Sequence, residues 1–134
     1  MIGIHCFWVA VGGALGSAAR YLLSAWVDRS FGGLFPWGTL LVNVTGSFAI
    51  GFFGTLTAPE GRWLVGTSGR QFFMTGICGG YTTFSSFSLQ TLAQIEDGQW
   101  LRAGANVVSS VFLCLLAVWL GHILAMKCNA LKGG

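Results

Sequence analysis

The chain has 134 residues, of which 54% are hydrophobic and only 8% charged, and its mean hydropathy is +0.70. A soluble domain carries about a quarter charged residues, so this composition excludes a water-soluble globule and indicates an integral membrane protein. The formal charge of +3 is spread along the chain, too thinly for a nucleic-acid-binding surface.

Spanning the bilayer core takes about 20 apolar residues of helix. Four stretches supply them, at about 4–26, 37–57, 71–94 and 100–126, and predict a single all-α transmembrane domain over residues 1–134. The first stretch lacks a basic start and is long enough to span, so it reads as a retained helix rather than a cleaved signal. Its Gly12-Gly13 and Gly16-Ser17 form overlapping small-xxx-small pairs that let another backbone approach. Arg20 lies near its far end. Asp28-Arg29-Ser30 is expected to stop this helix before a Gly/Pro loop that runs through Pro36. Trp26, Trp37, Trp63 and Trp100 fall near segment ends, where tryptophan anchors to the interface.

In the second stretch, Thr39, Asn43, Gly46 and Ser47 recur at three- and four-residue spacing and share one narrow polar face. Ser47 and Gly51 add another close-approach pair. Ala58-Pro59-Glu60-Gly61-Arg62 then opens a loop that reaches Arg70.

The third stretch contains GICGGYTTFSSF over residues 76–87. Gly79-Gly80 removes side-chain bulk, and the hydroxyls of Thr82 and Thr83 can satisfy loose backbone groups. A helix break in hydrocarbon survives only where protein or a wet cavity satisfies those groups. The spacing therefore predicts a third helix interrupted around Gly79-Gly80, partly non-helical from Gly79 to Thr83, buried between helices and lining something. A continuous helix is the alternative. After the Glu96-Asp97-Gly98 turn, the fourth stretch carries Asn106, Ser109 and Ser110 early and a nearly unbroken apolar run, VFLCLLAVWLG, later.

With four spans, Arg62, Arg70, Lys127 and Lys132 share one side of the membrane, against Arg20, Arg29 and Arg102 on the other. The positive-inside rule has almost nothing to act on. Either a weak bias gives both termini inside, or the chain inserts both ways and pairs with an inverted copy of itself.

Intramembrane polar groups are the default functional candidates. Asp28, Glu60, Glu96 and Asp97 all sit in predicted loops, which disfavours a proton-coupled exporter. His5 and His122 have no membrane carboxylate beside them, so no catalytic triad forms and no enzyme is expected. Cys6, Cys78, Cys114 and Cys128 show neither metal spacing nor a disulfide framework. Arg20 either snorkels to the headgroups or concentrates anions in a vestibule. Asn43 offers two N–H donors, suited to a partly dehydrated anion or to an interhelical hydrogen bond. Phe84 and Phe87 share a helix face, either as packing or with their positive ring edges turned to an anion. Thr39, Thr82, Thr83, Ser85, Ser86 and Ser88 gather hydroxyls at a similar depth.

GGALGSAARY, WGTLLVNVTGSFAIG and GICGGYTTFSSFSLQT, in this order, resemble the CrcB/Fluc fluoride channel family over nearly the whole chain. The resemblance implies four-helix subunits in a dual-topology antiparallel homodimer, in the bacterial plasma (inner) membrane. It implies two fluoride pathways at the subunit interface and passive, selective export of fluoride from the cytoplasm. Asn43 and Thr39 would lie along the pathway, with Phe84 and Phe87 as pore phenylalanines, Ser85 and Ser86 in a polar track, and Arg20 as the vestibule arginine. A structural sodium ion (Na+) would be held at the two-fold axis by backbone carbonyls of Gly79 and Thr82 from both subunits. One departure stands out: the second half of the fourth helix lacks hydroxyls, with Cys114 its only polarisable group. That helix is therefore left out of the expected pore.

Two other classes fit part of the pattern. A small multidrug-type transporter shares four helices and dual topology but needs a membrane carboxylate. A non-conducting packing subunit of a larger membrane complex would explain the glycines and serines without a pathway.

Overall fold

The computed structural model describes residues 1–131, and every regular element in that range is helical. Among the described residues, three helices are long and apolar enough to cross a membrane: α1 (Ile2–Phe31), α2 (Trp37–Leu56) and α6 (Trp100–Ala130). Between α2 and α6 the chain is segmented into α3 (Thr67–Arg70), a π-helix (Gln71–Cys78), α4 (Gly79–Tyr81) and α5 (Phe84–Glu96). The chain is a multi-pass membrane protein. Lys132, counted above with the C-terminal charges, lies outside the described residues.

At 1.5 Å per residue, the 30 residues of α1 extend about 45 Å, against a hydrocarbon core of about 30 Å. Both α1 and α6 therefore overreach the core, and Trp26 and Trp100 stand exposed on these overhangs. The first helix runs straight through Asp28-Arg29-Ser30, where the sequence suggests a stop. It ends at Gly32, whose left-handed backbone (φ 88°) returns an N–H to Asp28 C=O at 3.1 Å. The reason lies in tertiary structure. Asp28 Oδ1 accepts from Gly38 N–H at 2.8 Å, so the carboxylate caps the first turn of α2, where N–H groups have no helical partner.

The opposite ends of α2 and α6 are tied by the loop over 57–66 and by α3. Arg70 donates to the carbonyls of Gly54 (3.3 Å) and Thr57 (2.6 Å) and to the Thr57 hydroxyl. Arg62 donates its backbone N–H to Asn129 Oδ1 at 2.7 Å and its guanidinium to Cys128 C=O at 3.3 Å. Asn129 Nδ2 closes the set on Thr55 C=O at 3.1 Å. Last-turn carbonyls that water would otherwise satisfy are thus paired within the protein.

Apolar surface gains nothing by leaving lipid, so membrane helices associate through close packing. Here α2 lies along α6, with Gly51 and Gly121 at the crossing, and α1 lies along the π-helix and α4. A Cβ on Gly16 would run into the Ile77 carbonyl oxygen, and one on Gly80 would come within 2.6 Å of the Gly13 carbonyl oxygen. Long apolar side chains such as Leu22, Phe112 and Leu115 remain exposed, as a hydrocarbon environment permits.

Candidate functional site

The helical run from Thr67 gives way at two residues. Thr82 (φ −86°, ψ 158°) and Thr83 (φ −152°, ψ 115°) are extended, whereas Gly79–Tyr81 stays helical. The interruption thus lies downstream of the glycine pair that signals it in the sequence. Gly80 serves the close approach to α1, and the threonines carry the change of direction.

Thr82 still donates its N–H to Cys78 C=O at 3.0 Å, and its hydroxyl adds a second bond to the same oxygen at 2.9 Å. A continuing helix would send Thr83 N–H to Gly79 C=O, but it goes to Asn43 Oδ1 at 2.7 Å. Asn43 Nδ2 donates in return to Thr83 C=O at 3.0 Å. Ser86 N–H, which a continuing helix would send to Thr82 C=O, goes to Thr83 Oγ1 at 3.1 Å and so caps α5. On the α1 side, Gly80 C=O accepts from Arg20 Nε at 3.0 Å and from Ser17 Oγ at 3.4 Å. Tyr81 and Thr45 hydroxyls meet at 2.8 Å. The carbonyls of Gly79 and Thr82 are therefore the two whose helical donors are diverted to side-chain acceptors.

Beside the break lies a groove of about 430 Å³ between α2, the π-helix, α4, the start of α5, and α6. Asn43, Ser47, Gly79, Thr82, Thr83, Phe84, Phe87 and Ser110 are among its lining residues, and none of the residues lining it is a carboxylate. The two phenylalanine rings stand 5.3 Å apart, inclined at 54°. They differ sharply in exposure: Phe87 is 8% exposed and Phe84 76%.

Of the sequence-predicted residues, Asn43, Phe84, Phe87, Gly79 and Thr82 come together in this groove. Thr39, Ser85, Ser86 and Arg20 are not among the residues lining it. Thr39 is buried in the first turn of α2, one turn before Asn43. Ser85 is exposed and Ser86 half-buried, and both hydroxyls meet Thr83 Oγ1 at 3.2 Å. Arg20 reaches the break through Gly80.

Sequence reasoning missed Ser110. It lines the groove and donates to Asn106 Oδ1 at 3.3 Å, while Asn106 Nδ2 donates to Thr91 Oγ1 at 3.0 Å. Asn106 is 1% exposed. Its four-residue spacing from Ser110 was the available signal, because it puts both on one helix face. Ser109, by contrast, bonds back to Ala105 C=O in its own helix at 2.6 Å. Beyond this ladder, Gln90 Oε1 and Gln94 Oε1 are buried without a partner among the described residues. With the hydroxyl hydrogens of Thr82, Thr83 and Ser110 already engaged, the groove offers the second Asn43 amide hydrogen, the Ser47 hydroxyl and aromatic edges, a set suited to an anion rather than a proton carrier.

Residues 7–122 match the family model described as CrcB-like protein, Camphor Resistance (CrcB). A relative from Opitutus terrae, named fluoride-specific ion channel FluC, is 66% identical over 94% of this chain and 96% of its own length. A relative of the same name from Methylocella silvestris is 58% identical over the same shares. One from Paramagnetospirillum magneticum, also so named, is 60% identical over 90% of this chain and 94% of its own. With a family model matched along most of its length and relatives this similar nearly end to end, the chain belongs to the CrcB-like family.

Proposed function

We propose that this chain is a fluoride-selective ion channel that lets fluoride leave the cytoplasm by passive flow and so lowers its toxicity. The observation that carries this reading is the groove where Asn43, Thr83, Phe84 and Phe87 meet without a carboxylate. The name shared by the relatives fixes which anion to test.

In this reading the segmented run from α3 to α5 is a fourth crossing, broken at Thr82–Thr83, and the subunit pairs with an inverted copy. Two observations support the pairing. The groove that carries Asn43 and Phe87 is open in a single protomer, with Phe84 in its wall left 76% exposed, and with four crossings the basic residues divide almost evenly between the two sides. An antiparallel homodimer would close two such grooves into two pathways within the lipid bilayer.

Fluoride entering a pathway exchanges part of its water for the remaining Asn43 amide hydrogen, hydroxyl donors and phenylalanine ring edges. Thr39, Ser85 and Ser86 extend the polar route, and Arg20 favours anions at the entrance. Several weak contacts allow release as well as entry.

The carbonyls of Gly79 and Thr82 fit a structural sodium ion, because diverted helical donors leave both oxygens free to replace a cation's hydration shell. Sodium bound there would supply a positive charge to offset the carbonyl dipoles of Gly79 and Thr82.

Purified protein in liposomes is expected to release fluoride down its gradient and to retain chloride. Absence of fluoride efflux from liposomes that contain assembled protein would overturn the channel reading.

A further inference from the structure

Arg20 is half-buried, and its Nε, not merely its charge, is engaged: it donates to Gly80 C=O at 3.0 Å. Ser17 supports the same oxygen from one turn earlier on α1, at 3.4 Å. Gly80 lies between Gly79 and Thr82, the two residues whose helical donors are diverted to side-chain acceptors. A peptide unit is planar and turns as a rigid plate. Fixing the Gly80 carbonyl toward α1 therefore fixes the plate it shares with Tyr81 and limits how the neighbouring carbonyls can swing. Asn43 fixes the other end of the same short segment at Thr83.

We infer that Arg20 is a positioning residue for the cation site: its Nε–H, with Ser17, holds Gly80 C=O on the α1 side so that Gly79 and Thr82 present theirs together. This rests on the sodium reading above. It assigns Arg20 a role separable from any attraction of anions, because that attraction depends on charge, whereas this role depends on a donor at one place.

Glutamine separates the two. Its amide nitrogen stands the same number of bonds from the backbone as arginine Nε and carries N–H donors without a charge. Methionine has a similar reach and neither donor nor charge. The experiment uses the purified full-length protein in detergent. It follows the midpoint of thermal dimer dissociation across a sodium chloride series, with N-methylglucamine chloride holding ionic strength constant.

Wild-type protein is expected to gain stability with sodium. Arg20→Gln should need a similar sodium concentration for half of that gain. Arg20→Met should need about tenfold more, the scale of one lost hydrogen bond. Equal displacement of Gln and Met would assign the effect to charge and overturn the inference, as would a wild-type sodium response in Met. Should Arg20→Met not assemble, Ser17→Ala provides the second measurement. A smaller upward displacement supports the inference, and an unchanged response overturns it. A wild-type protein indifferent to sodium would overturn the sodium reading itself and the inference with it.

Discussion

Asn43 grips Thr83 by both of its backbone groups, accepting from the N–H at 2.7 Å and donating to the C=O at 3.0 Å. A side-chain amide thereby stands in for the strand or helix partner that an extended residue inside a membrane lacks. Asn43→Leu leaves both groups unpaired, at about 1–3 kcal/mol each. We expect a lower thermal midpoint in detergent together with lost fluoride flux. Asn43→Asp keeps the acceptor and loses the donor, so it should fall between. Equal stability of Asn43→Leu and wild type would contradict the clamp.

The two phenylalanines should separate by experiment. Phe87 is buried within the protomer, so Phe87→Ala is expected to cost stability on the scale of about 3–5 kcal/mol and to impair flux. Phe84 is exposed on the protomer. Phe84→Ala should leave protomer helicity intact and weaken pairing and flux. The gentler Phe84→Ile and Phe87→Ile are expected to suppress fluoride efflux while dimers still form on size exclusion. Wild-type flux in both isoleucine variants would remove them from the pathway.

Neighbouring glycines on α1 should differ in tolerance. A Cβ on Gly16 meets the Ile77 carbonyl oxygen, which cannot move aside without shifting the π-helix, whereas one on Gly13 meets nothing within 4 Å. Gly16→Ala is expected to reduce folded yield and thermal midpoint, and Gly13→Ala to match wild type within about 0.5 kcal/mol. Equal behaviour of the two would mean that α1 does not pack against the break as described.

The Asp28 cap gives a fourth test. Asp28→Ala removes the acceptor for Gly38 N–H and should destabilise by about 0.5–2 kcal/mol. Asp28→Asn keeps an oxygen at that place and should recover most of the loss. Thermal unfolding in detergent measures both.

The sequence made some of this legible and concealed the rest for physical reasons. Long apolar runs locate α1, α2 and α6, because hydrocarbon demands an unbroken apolar length. GICGGYTTFSSF marks the region of the break, since its glycine pair is followed at once by clustered hydroxyls that can satisfy loose backbone groups. It does not mark the residue at which the backbone turns. That is decided by Asn43, some 40 positions away, and by Gly80 being committed to α1. The Asp28 cap was hidden for the same reason: a carboxylate read as a loop signal turns out to serve another helix. Ser110 was overlooked because the later half of its helix is apolar, although its own spacing from Asn106 indicated a shared face. The π-helix has no sequence signature that separates it from an α-helix of equal composition.

Thr83 links α2 to the start of α5 at the break. Its backbone is held by Asn43, its hydroxyl accepts from Ser86 N–H, and that hydroxyl meets those of Ser85 and Ser86. In the proposed channel it therefore stands as a common wall between a cation seat and an anion route. Whatever affinity one ion gains by adjusting that wall, thermodynamic reciprocity returns to the other by the same factor. Fluoride occupancy should then be readable in sodium binding, and sodium in fluoride binding, although the two ions never meet.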